Sequence, residues 1–324
     1  MEDALRDLQL AMAAHRKALG ESRPGRAEAV ARQFLLQRLA RDVERVCGIE
    51  ITEMMEAKLA RVLSSVAVGE LEAWVGRLHR LPAHDPEWLS LIENLTVHET
   101  FFHRDRAQLD LLREVLGELV AAAAGEGRRR LRLWSAGCAS GEEAYTLAIL
   151  ALSALRDAGW AEETVDGDIV CREPWQLDVL GTDISRVVLT QAQAAVYSTE
   201  GLSAFRDLPP ELQRFFPVLP KSPETGDVEL RGVLPAVKRH VRFRHFNLIA
   251  RSPPETGFDV VLCRNVLIYL TASARTEVQA HFRQALRPGG VLLLGPTDTP
   301  VEPAVYQARW GAGAVAYVLQ AQDE

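Results

Sequence analysis

Two glutamates stand where a helix is predicted to begin, directly after a loop of small residues. The apolar run Leu131–Trp134 stops at S-A-G-C-A-S-G, residues 135–141, and a helical pattern starts at Glu142 and Glu143. A strand, a small-residue turn and a helix open the nucleotide-binding half of many α/β folds. Glycine lets the backbone approach a ligand closely, and the helix start offers unpaired N–H groups. We therefore expect a small-molecule site at this turn.

The charge at this turn selects against phosphate. The loop matches neither G-x-G-x-x-G nor G-x-x-x-x-G-K-[ST], and it contains no lysine. Two carboxylates at the helix start would repel a pyrophosphate, so NAD and ATP fit poorly. A ligand with a cationic head fits better. S-adenosylmethionine (SAM) carries an ammonium and a sulfonium and has no phosphate.

Two acids have both a ligand-binding and a purely structural interpretation. Glu143 lies three residues after Ser140, so the two could form a capping box, or the carboxylate could face an ammonium. Asp183 follows the predicted strand Leu177–Leu180, and an acid at the carboxyl end of a parallel strand suits a ribose diol. It could equally cap the helix that begins near Ile184. The sequence leaves both pairs of alternatives open.

The stretch V-H-E-T-F-F-H-R-D, residues 97–105, contains two histidines but does not predict a metal site. His98 and His103 are one residue further apart than the pair in H-E-x-x-H, and on a helix they would point about 140° apart. The four cysteines form no C-x-x-C pair either, so we expect no metal. Two phenylalanines beside Arg104 are typical of packing, but their place at the junction of the two halves makes a ligand role plausible.

A second set of polar residues follows the apolar strand Phe258–Cys263. Arg264 and Asn265 are costly to bury unpaired, so we expect them to face a crevice. Tyr269, four residues further on, could simply pack there, or its hydroxyl could act at the site.

These residues need two kinds of domain to position them. Residues 34–115 show helical periodicity and predict an all-helical domain after an N-terminal extension, residues 1–33. Residues 116–130 predict the end of a long helix and a short linker. Residues 131–324 alternate strands with helices, which predicts an α/β fold with a mainly parallel, doubly wound sheet. Within it, we interpret the proline-rich residues 196–239 as an inserted subdomain.

Local patterns also predict element boundaries. The first helix should bury Phe34, and Thr52 should cap the second helix. Residues 157–175 predict a loop insertion ahead of the second strand. The helix that begins at Ala272 should be closed by Pro288-Gly289-Gly290, after which the next strand begins.

Composition limits the class of protein. The chain has 324 residues, 48% of them hydrophobic, and a net charge of −7 that argues against nucleic acid as the principal partner. Well-separated cysteines are typical of reduced thiols in the cytoplasm. The N-terminus M-E-D-A-L-R-D is too charged for a signal peptide, and the longest apolar run, Ala144–Leu155, is too short to span a bilayer. We expect a cytoplasmic monomer without membrane insertion.

Six motifs in order resemble the CheR-type chemotaxis-receptor methyltransferases, which use SAM to methylate glutamates on the cytoplasmic helices of receptors. They are V-H-E-T-F-F-H-R-D (97–105), W-S-A-G-C-A-S-G-E-E-A-Y (134–145), G-T-D-I-S (181–185), F-N-L (246–248), F-D-V-V-L-C-R-N-V-L-I-Y-L (258–270) and L-R-P-G-G-V-L-L-L-G (286–295). The resemblance implies a helical N-terminal domain, a Rossmann-like class I SAM-dependent methyltransferase domain and a small inserted β-subdomain. It implies S-adenosylhomocysteine (SAH) and a glutamate methyl ester as products.

The resemblance also implies roles for individual residues. Arg104 would bind the methionine carboxylate of SAM, and Tyr269 would lie beside the transferring methyl, so that both orient the reacting groups. Glu143 would hold the ammonium and Asp183 the ribose. Asn247 and Leu248 would contact the adenine. The resemblance implies five further cofactor contacts: His98, Thr100, Gly137, Arg264 and Asn265.

The chain departs from the family pattern in two ways. The single-residue departures are His98 for the common Asn, His103 for Phe and Ala144 for Pro. In the second helix, Thr52–Gly69, the basic face that recognises the receptor is reduced to Lys58 and Arg61. Two alternatives therefore stay open: a SAM-dependent methyltransferase of another protein or small molecule, and a non-catalytic adaptor that senses SAM or SAH.

Overall fold

The computed structural model describes residues 26–164, 168–201, 203–221 and 228–321, so most of the predicted extension 1–33 lies outside the described residues. The chain divides into two compact units. One contains the residues before His98 together with Tyr269–Ala274, and the other contains His98–Ile268 and Arg275–Glu324. Among the described residues, no helix combines the length and the apolar character needed to cross a membrane.

The first unit is helical, as its periodicity predicts. Its helices are α1 (Arg26–Cys47), α2 (Glu53–Leu63), α3 (Val68–Leu78) and α4 (Pro86–Leu95). The Thr52 hydroxyl accepts a hydrogen bond from the Met55 N–H at 3.3 Å, which confirms the predicted cap of α2. The core of the unit includes Leu39, Val43, Leu71, Val75 and Trp88.

The prediction that Phe34 is buried is wrong, because 60% of its surface is exposed. The buried face of α1 is carried by Leu35, Leu36 and Leu39. Phe34 precedes Leu36 by two residues, about 200° around a helix, and therefore points to the opposite side.

The second unit is built on a seven-stranded sheet. Its strands are β1 (Arg130–Ala136), β4 (Gln176–Asp183), β7 (Val241–His245), β8 (Phe258–Cys263), β9 (Leu286–Leu294), β10 (Tyr306–Gly311) and β11 (Ala314–Leu319). Their order is β10-β11-β9-β8-β1-β4-β7. The pairs β9–β8, β8–β1, β1–β4 and β4–β7 are parallel, while β11 runs antiparallel to both of its neighbours. All six residues of β8 are buried, as expected for a parallel strand covered on both faces.

Helices connect these strands and cover the sheet. They are α5 (Arg106–Gly125), α6 (Glu142–Asp157), α7 (Arg186–Ala194), the short α8 (Pro235–Lys238) and α9 (Ala272–Ala285). Residues 116–125 of the predicted linker are thus the end of α5, and the division between the two units falls at Val97–His98. The alternation of strands and helices predicted from residue 131 onward is confirmed.

Two small β-structures interrupt the alternation. The predicted loop insertion contains the hairpin β2 (Ala161–Glu163) and β3 (Ile169–Cys171). In the stretch interpreted as an inserted subdomain, β5 (Val196–Ser198) pairs antiparallel with β6 (Leu230–Gly232), and a 3₁₀ helix covers Pro210–Phe215.

The prediction that Pro288-Gly289-Gly290 closes the last helix is wrong. Helix α9 ends at Ala285, and β9 begins at the next residue, Leu286. Phe258 pairs with Leu286 but Val260 pairs with Val291, so the residues between them are accommodated as an irregularity within the strand. The glycines therefore shape the strand and not the helix end.

Candidate functional site

The turn between β1 and α6 is tied to the end of the neighbouring strand β4. The N–H groups of Gly137 and Cys138 donate to the Thr182 carbonyl at 2.8 and 2.9 Å. Gly137 has a φ of +81°, and a Cβ added to it would lie 2.5 Å from a methyl carbon of Val266. Glycine is therefore required for both the conformation and the close packing of this turn.

Glu143 faces β1 and does not form the capping box. Its Oε1 accepts a hydrogen bond from the Ser135 hydroxyl at 2.6 Å, and its Oε2 lies 3.4 Å from a guanidinium nitrogen of Arg264. The N-cap of α6 is Gly141, which makes no side-chain cap. Burial raises the pKa of Glu143, and the charge of Arg264 opposes that rise. The capping box, one of the two alternatives for Glu143, is therefore not formed.

Asp183 joins β4 to the same turn. Its two carboxylate oxygens accept hydrogen bonds from the N–H groups of Ala139 and Ser185, both at 2.9 Å. The N-cap of α7 is Ser185, whose hydroxyl accepts from Val188, so the predicted capping role does not belong to Asp183. Burial raises the pKa of Asp183, while its backbone hydrogen bonds and the nearby His98 lower it.

Glu143 and Asp183 share one electrostatic environment. Both carboxylates, together with burial, raise the pKa of the Cys138 thiol in the turn between them. Asp183 at the carboxyl end of β4 and Glu143 in the first turn of α6 give this turn a negative potential, as the sequence predicts.

Arg264 connects the end of β8 to Glu143 and to the segment before α5. Only 2% of its side chain is exposed. Its Nε donates to Gln108 at 2.9 Å, and its Nη2 donates to Asp105 at 3.0 Å and to the Arg104 carbonyl. Arg264 is therefore buried and paired with protein groups, whereas the sequence predicted that it would face a crevice.

Arg104 lies in a small cluster of charged and aromatic groups. Its Nη1 donates to the Glu99 carbonyl at 2.9 Å, and its guanidinium lies 5.6 Å from the centre of the Phe101 ring. Arg206 lies over the same ring at 3.8 Å and pairs with the Glu99 carboxylate at 2.8 Å. The next residue, Phe102, is fully buried, with ring centres of Tyr197, Phe205 and Phe216 within 5.1 Å. The two phenylalanines thus differ, and only Phe102 is a core residue.

The histidines of this segment have separate environments. His103 is buried, and within the described part of the chain neither of its ring nitrogens has a hydrogen-bond partner. Burial lowers the pKa of His103, which keeps the ring neutral at physiological pH. The charge of His98 instead acts on Asp183, where it opposes the rise in pKa that burial causes. No group of three His, Cys, Asp or Glu side chains suited to a metal ion occurs among the residues that the structure describes.

The other residues implied by the resemblance lie near strand ends. Asn247 follows β7, where the Phe246 N–H donates to the Asp183 carbonyl at 2.9 Å, and the Leu248 carbonyl accepts from His281. Asn265 follows β8 with a φ of +58°. Thr100 is half-buried beside the Arg104 cluster in sequence. Tyr269 belongs to the first unit, where its carbonyl accepts from the Glu50 N–H at 2.8 Å and 39% of its surface is exposed.

Sequence reasoning missed three residues that organise this site. Asp105 lies within the motif of residues 97–105, but nothing in the sequence indicates that its carboxylate pairs with Arg264. Gln108 is a buried residue on α5 that joins Arg264 to the Leu294 carbonyl at 2.7 Å. Arg206 comes from the inserted subdomain and offers no sequence signal that relates it to Phe101, because the two lie more than 100 residues apart.

The donor set fits a cationic ligand. Glu143 holds one strong bond to Ser135 and one long contact to Arg264, so its carboxylate retains acceptor capacity toward an ammonium. A phosphate would be repelled by the Glu143 and Asp183 carboxylates, and the turn contains no lysine to bind it. The sheet order, with Glu143 at the start of the helix after β1 and Asp183 at the end of β4, defines a Rossmann-like class I SAM-dependent methyltransferase fold.

Comparison with known proteins gives the family. Residues 98–308 match the family described as CheR methyltransferase, SAM binding domain. The chain belongs to this family, and SAM is its cofactor.

Curated relatives cover most of the chain. Chemotaxis protein methyltransferase 1 of Pseudomonas aeruginosa is 32% identical over 79% of this chain and 86% of its own length. A chemotaxis protein methyltransferase of Listeria monocytogenes is 30% identical over 82% of this chain and 90% of its own. Among solved structures, a TehB-like SAM-dependent methyltransferase from Corynebacterium glutamicum covers 64% of this chain and 88% of its own, at 15% identity and a TM-score of 0.33.

Proposed function

We propose that this protein is a SAM-dependent glutamate O-methyltransferase that acts on cytoplasmic helices of chemoreceptor-like proteins. The observation that carries the proposal is the buried Glu143 carboxylate, held between Ser135 and Arg264 beside a turn that Asp183 also fixes. The similarity to chemotaxis protein methyltransferases of Pseudomonas aeruginosa and Listeria monocytogenes supports the chemotaxis role. The proposed location is the cytoplasm, with the chain as a monomer.

The chain's own residues would bind and orient the cofactor. When bound, SAM supplies an electrophilic methyl group. Glu143 would accept hydrogen bonds from its ammonium, Asp183 would face the ribose, and Arg104 would bind the methionine carboxylate. A guanidinium and a carboxylate form a strong, directional pair. Contacts from Asn247 and Leu248 at the adenine complete the proposed set, with His98, Thr100, Gly137 and Asn265 as further contacts.

The reaction needs positioning more than acid–base chemistry. A glutamate side chain with an ordinary pKa of about 4.3 is already ionised at neutral pH, so no general base is required. A hydrated carboxylate is a weak nucleophile, and an enzyme accelerates its attack by alignment and exclusion of water, which can contribute several kcal/mol. We assign the alignment to Arg104 and Tyr269.

Transfer to a receptor tests this proposal. Radiolabelled methyl from SAM should appear on a receptor cytoplasmic fragment and be released by base as methanol, because carboxylate esters hydrolyse in base. Label that is stable to base would indicate methylation of nitrogen and would contradict ester formation. Binding of SAH with no transfer to any partner would support the adaptor alternative.

The relatives favour the chemoreceptor role, and one feature of the first unit bears on a second candidate, a SAM-dependent methyltransferase of another protein. In the first unit, α2 carries Glu53 and Glu56 on a groove of about 490 Å³ that it forms with α1. Lys58, one of the two basic residues of α2, donates to the Asn94 carbonyl at 2.8 Å. A weakly basic face of this kind suits a substrate less acidic than a standard receptor helix. Equal labelling of acidic and neutral helical peptides would favour this candidate.

A further inference from the structure

A single buried arginine is shared by four groups at the proposed cofactor site. Arg264 donates to Gln108 at 2.9 Å, to Asp105 at 3.0 Å and to the Arg104 carbonyl, whereas Glu143 lies further away, at 3.4 Å. The contact to Glu143 is thus the longest of the four. Arg264 is therefore only a partial counter-ion of Glu143.

Gln108 fixes the direction of one of these bonds. Its Nε2 donates to the Leu294 carbonyl at the end of β9, 2.7 Å away, so its Oε1 must be the atom that accepts from Arg264. Both ends of this amide are buried and satisfied. Gln108 consequently holds the guanidinium toward α5.

Asp105 is the second residue that restrains Arg264, and its carboxylate compensates the charge of the guanidinium. It has a φ of +56°, in the left-handed region, at the residue before α5 begins. For a residue other than glycine this conformation costs about 1 kcal/mol or more. The paired bonds from Arg264 to the Asp105 carboxylate and the Arg104 carbonyl hold this turn in place.

These contacts determine how much of the charge of Glu143 is left for a ligand. Without the Asp105 carboxylate, the guanidinium would have Glu143 as its nearest remaining acid, and a fully paired carboxylate attracts an ammonium less. We propose that Asp105 and Gln108 are positioning residues that hold Arg264 away from Glu143 and thereby determine the affinity for the amino-acid end of SAM and SAH. The inference deepens the proposed function and rests on it.

Two ligands separate this role from a general effect on the fold. SAH carries the ammonium, whereas 5′-methylthioadenosine keeps the adenosine and thioether but lacks the amino-acid group. In Asp105→Asn, calorimetric titration should show the SAH Kd raised about tenfold, about 1.4 kcal/mol, with the methylthioadenosine Kd changed less than twofold. Asp105→Glu, which keeps the charge, should restore much of the SAH affinity. Gln108→Leu should act in the same direction as Asp105→Asn.

A control residue lies near the start of β8, the strand whose end Arg264 follows. Asp259 in β8 is also paired with arginines, with Arg128 at 3.0 Å and Arg287 at 2.5 Å, and it is more deeply buried than Asp105. Asp259→Asn should lower the melting temperature while the ratio of the two Kd values stays at the wild-type value.

Three outcomes would decide against the inference. Equal weakening of SAH and methylthioadenosine in Asp105→Asn would indicate a structural role only, and an unchanged SAH Kd would exclude any role. If Asp105→Asn does not fold, the SAH and methylthioadenosine Kd values are compared in Gln108→Leu instead. Failure of the wild-type protein to bind SAH would instead overturn the proposed function, and the inference with it.

Discussion

Replacement of Glu142 by glutamine should stabilise the protein at alkaline pH. Glu142 is 3% exposed in the first turn of α6, and its described side-chain partner is the Ser140 hydroxyl at 2.8 Å. Burial raises its pKa from 4.5 to about 7, and this outweighs both the hydrogen bond and the charge of Arg206. A glutamine oxygen can still accept from Ser140, but it carries no charge to desolvate.

The sign and the size follow from the two pKa values. The folded protein holds this proton more tightly than the unfolded chain, so the contribution of Glu142 is most favourable below pH 4.5 and is lost as the pH rises to about 7. The interval between 4.5 and about 7, at about 1.36 kcal/mol per pH unit, corresponds to about 3 kcal/mol. At pH 8 the variant Glu142→Gln should therefore unfold with a free energy up to about 3 kcal/mol higher than wild type, and at pH 5 the gain should be much smaller.

Urea denaturation followed by circular dichroism at pH 5 and pH 8 measures this difference. Glu277→Gln, an exposed glutamate on α9, serves as the control and should change the unfolding free energy by less than about 0.5 kcal/mol. A variant Glu142→Gln that is no more stable than wild type at pH 8, or a gain of equal size at both pH values, would refute the reasoning.

Three further predictions concern the site. Arg104→Ala should lower kcat/KM at least a hundredfold, because the contact to the methionine carboxylate is lost. The control Arg106→Ala, two residues away and largely exposed, should leave kcat/KM unchanged. Near-normal kinetics for Arg104→Ala would remove Arg104 from the site. Because burial raises the pKa of Glu143, and an ammonium binds only its ionised form, the SAH affinity should fall on acidification at a higher pH than for an exposed glutamate, and a flat pH profile would contradict this. Gly137→Ala should lower the free energy of unfolding by about 1–3 kcal/mol in urea titrations, since its Cβ would clash with Val266; an unchanged value would mean that the turn can relax.

The strands and helices of the second unit could be predicted because their patterns are local. The predicted strand Phe258–Cys263 matches the structure at both ends. Apolar runs bounded by glycine, proline and polar residues carry this information without reference to the rest of the chain. The Pro-Gly-Gly segment failed because its role depends on pairing between β8 and β9, which no local pattern reveals.

The acids of the site could be located from the sequence, but their partners could not. Glu143 was identified by its place at the start of the helix that follows the small-residue turn, and Asp183 by its place at the end of a parallel strand. The contacts that the two acids make in place of the predicted caps come from Ser135 and Ala139, and depend on the path of the turn. Gln108 was missed because its partner Arg264 lies 156 residues away.

Calorimetric titration of the wild-type protein and Glu143→Gln with SAH tests most directly whether a buried acid holds a cationic cofactor here. We predict a wild-type Kd well below 1 mM, a binding free energy more favourable than about −4 kcal/mol, and at least a tenfold increase in Kd in Glu143→Gln. No detectable binding to the wild-type protein at 1 mM SAH, or equal affinity in the two proteins, would contradict the account.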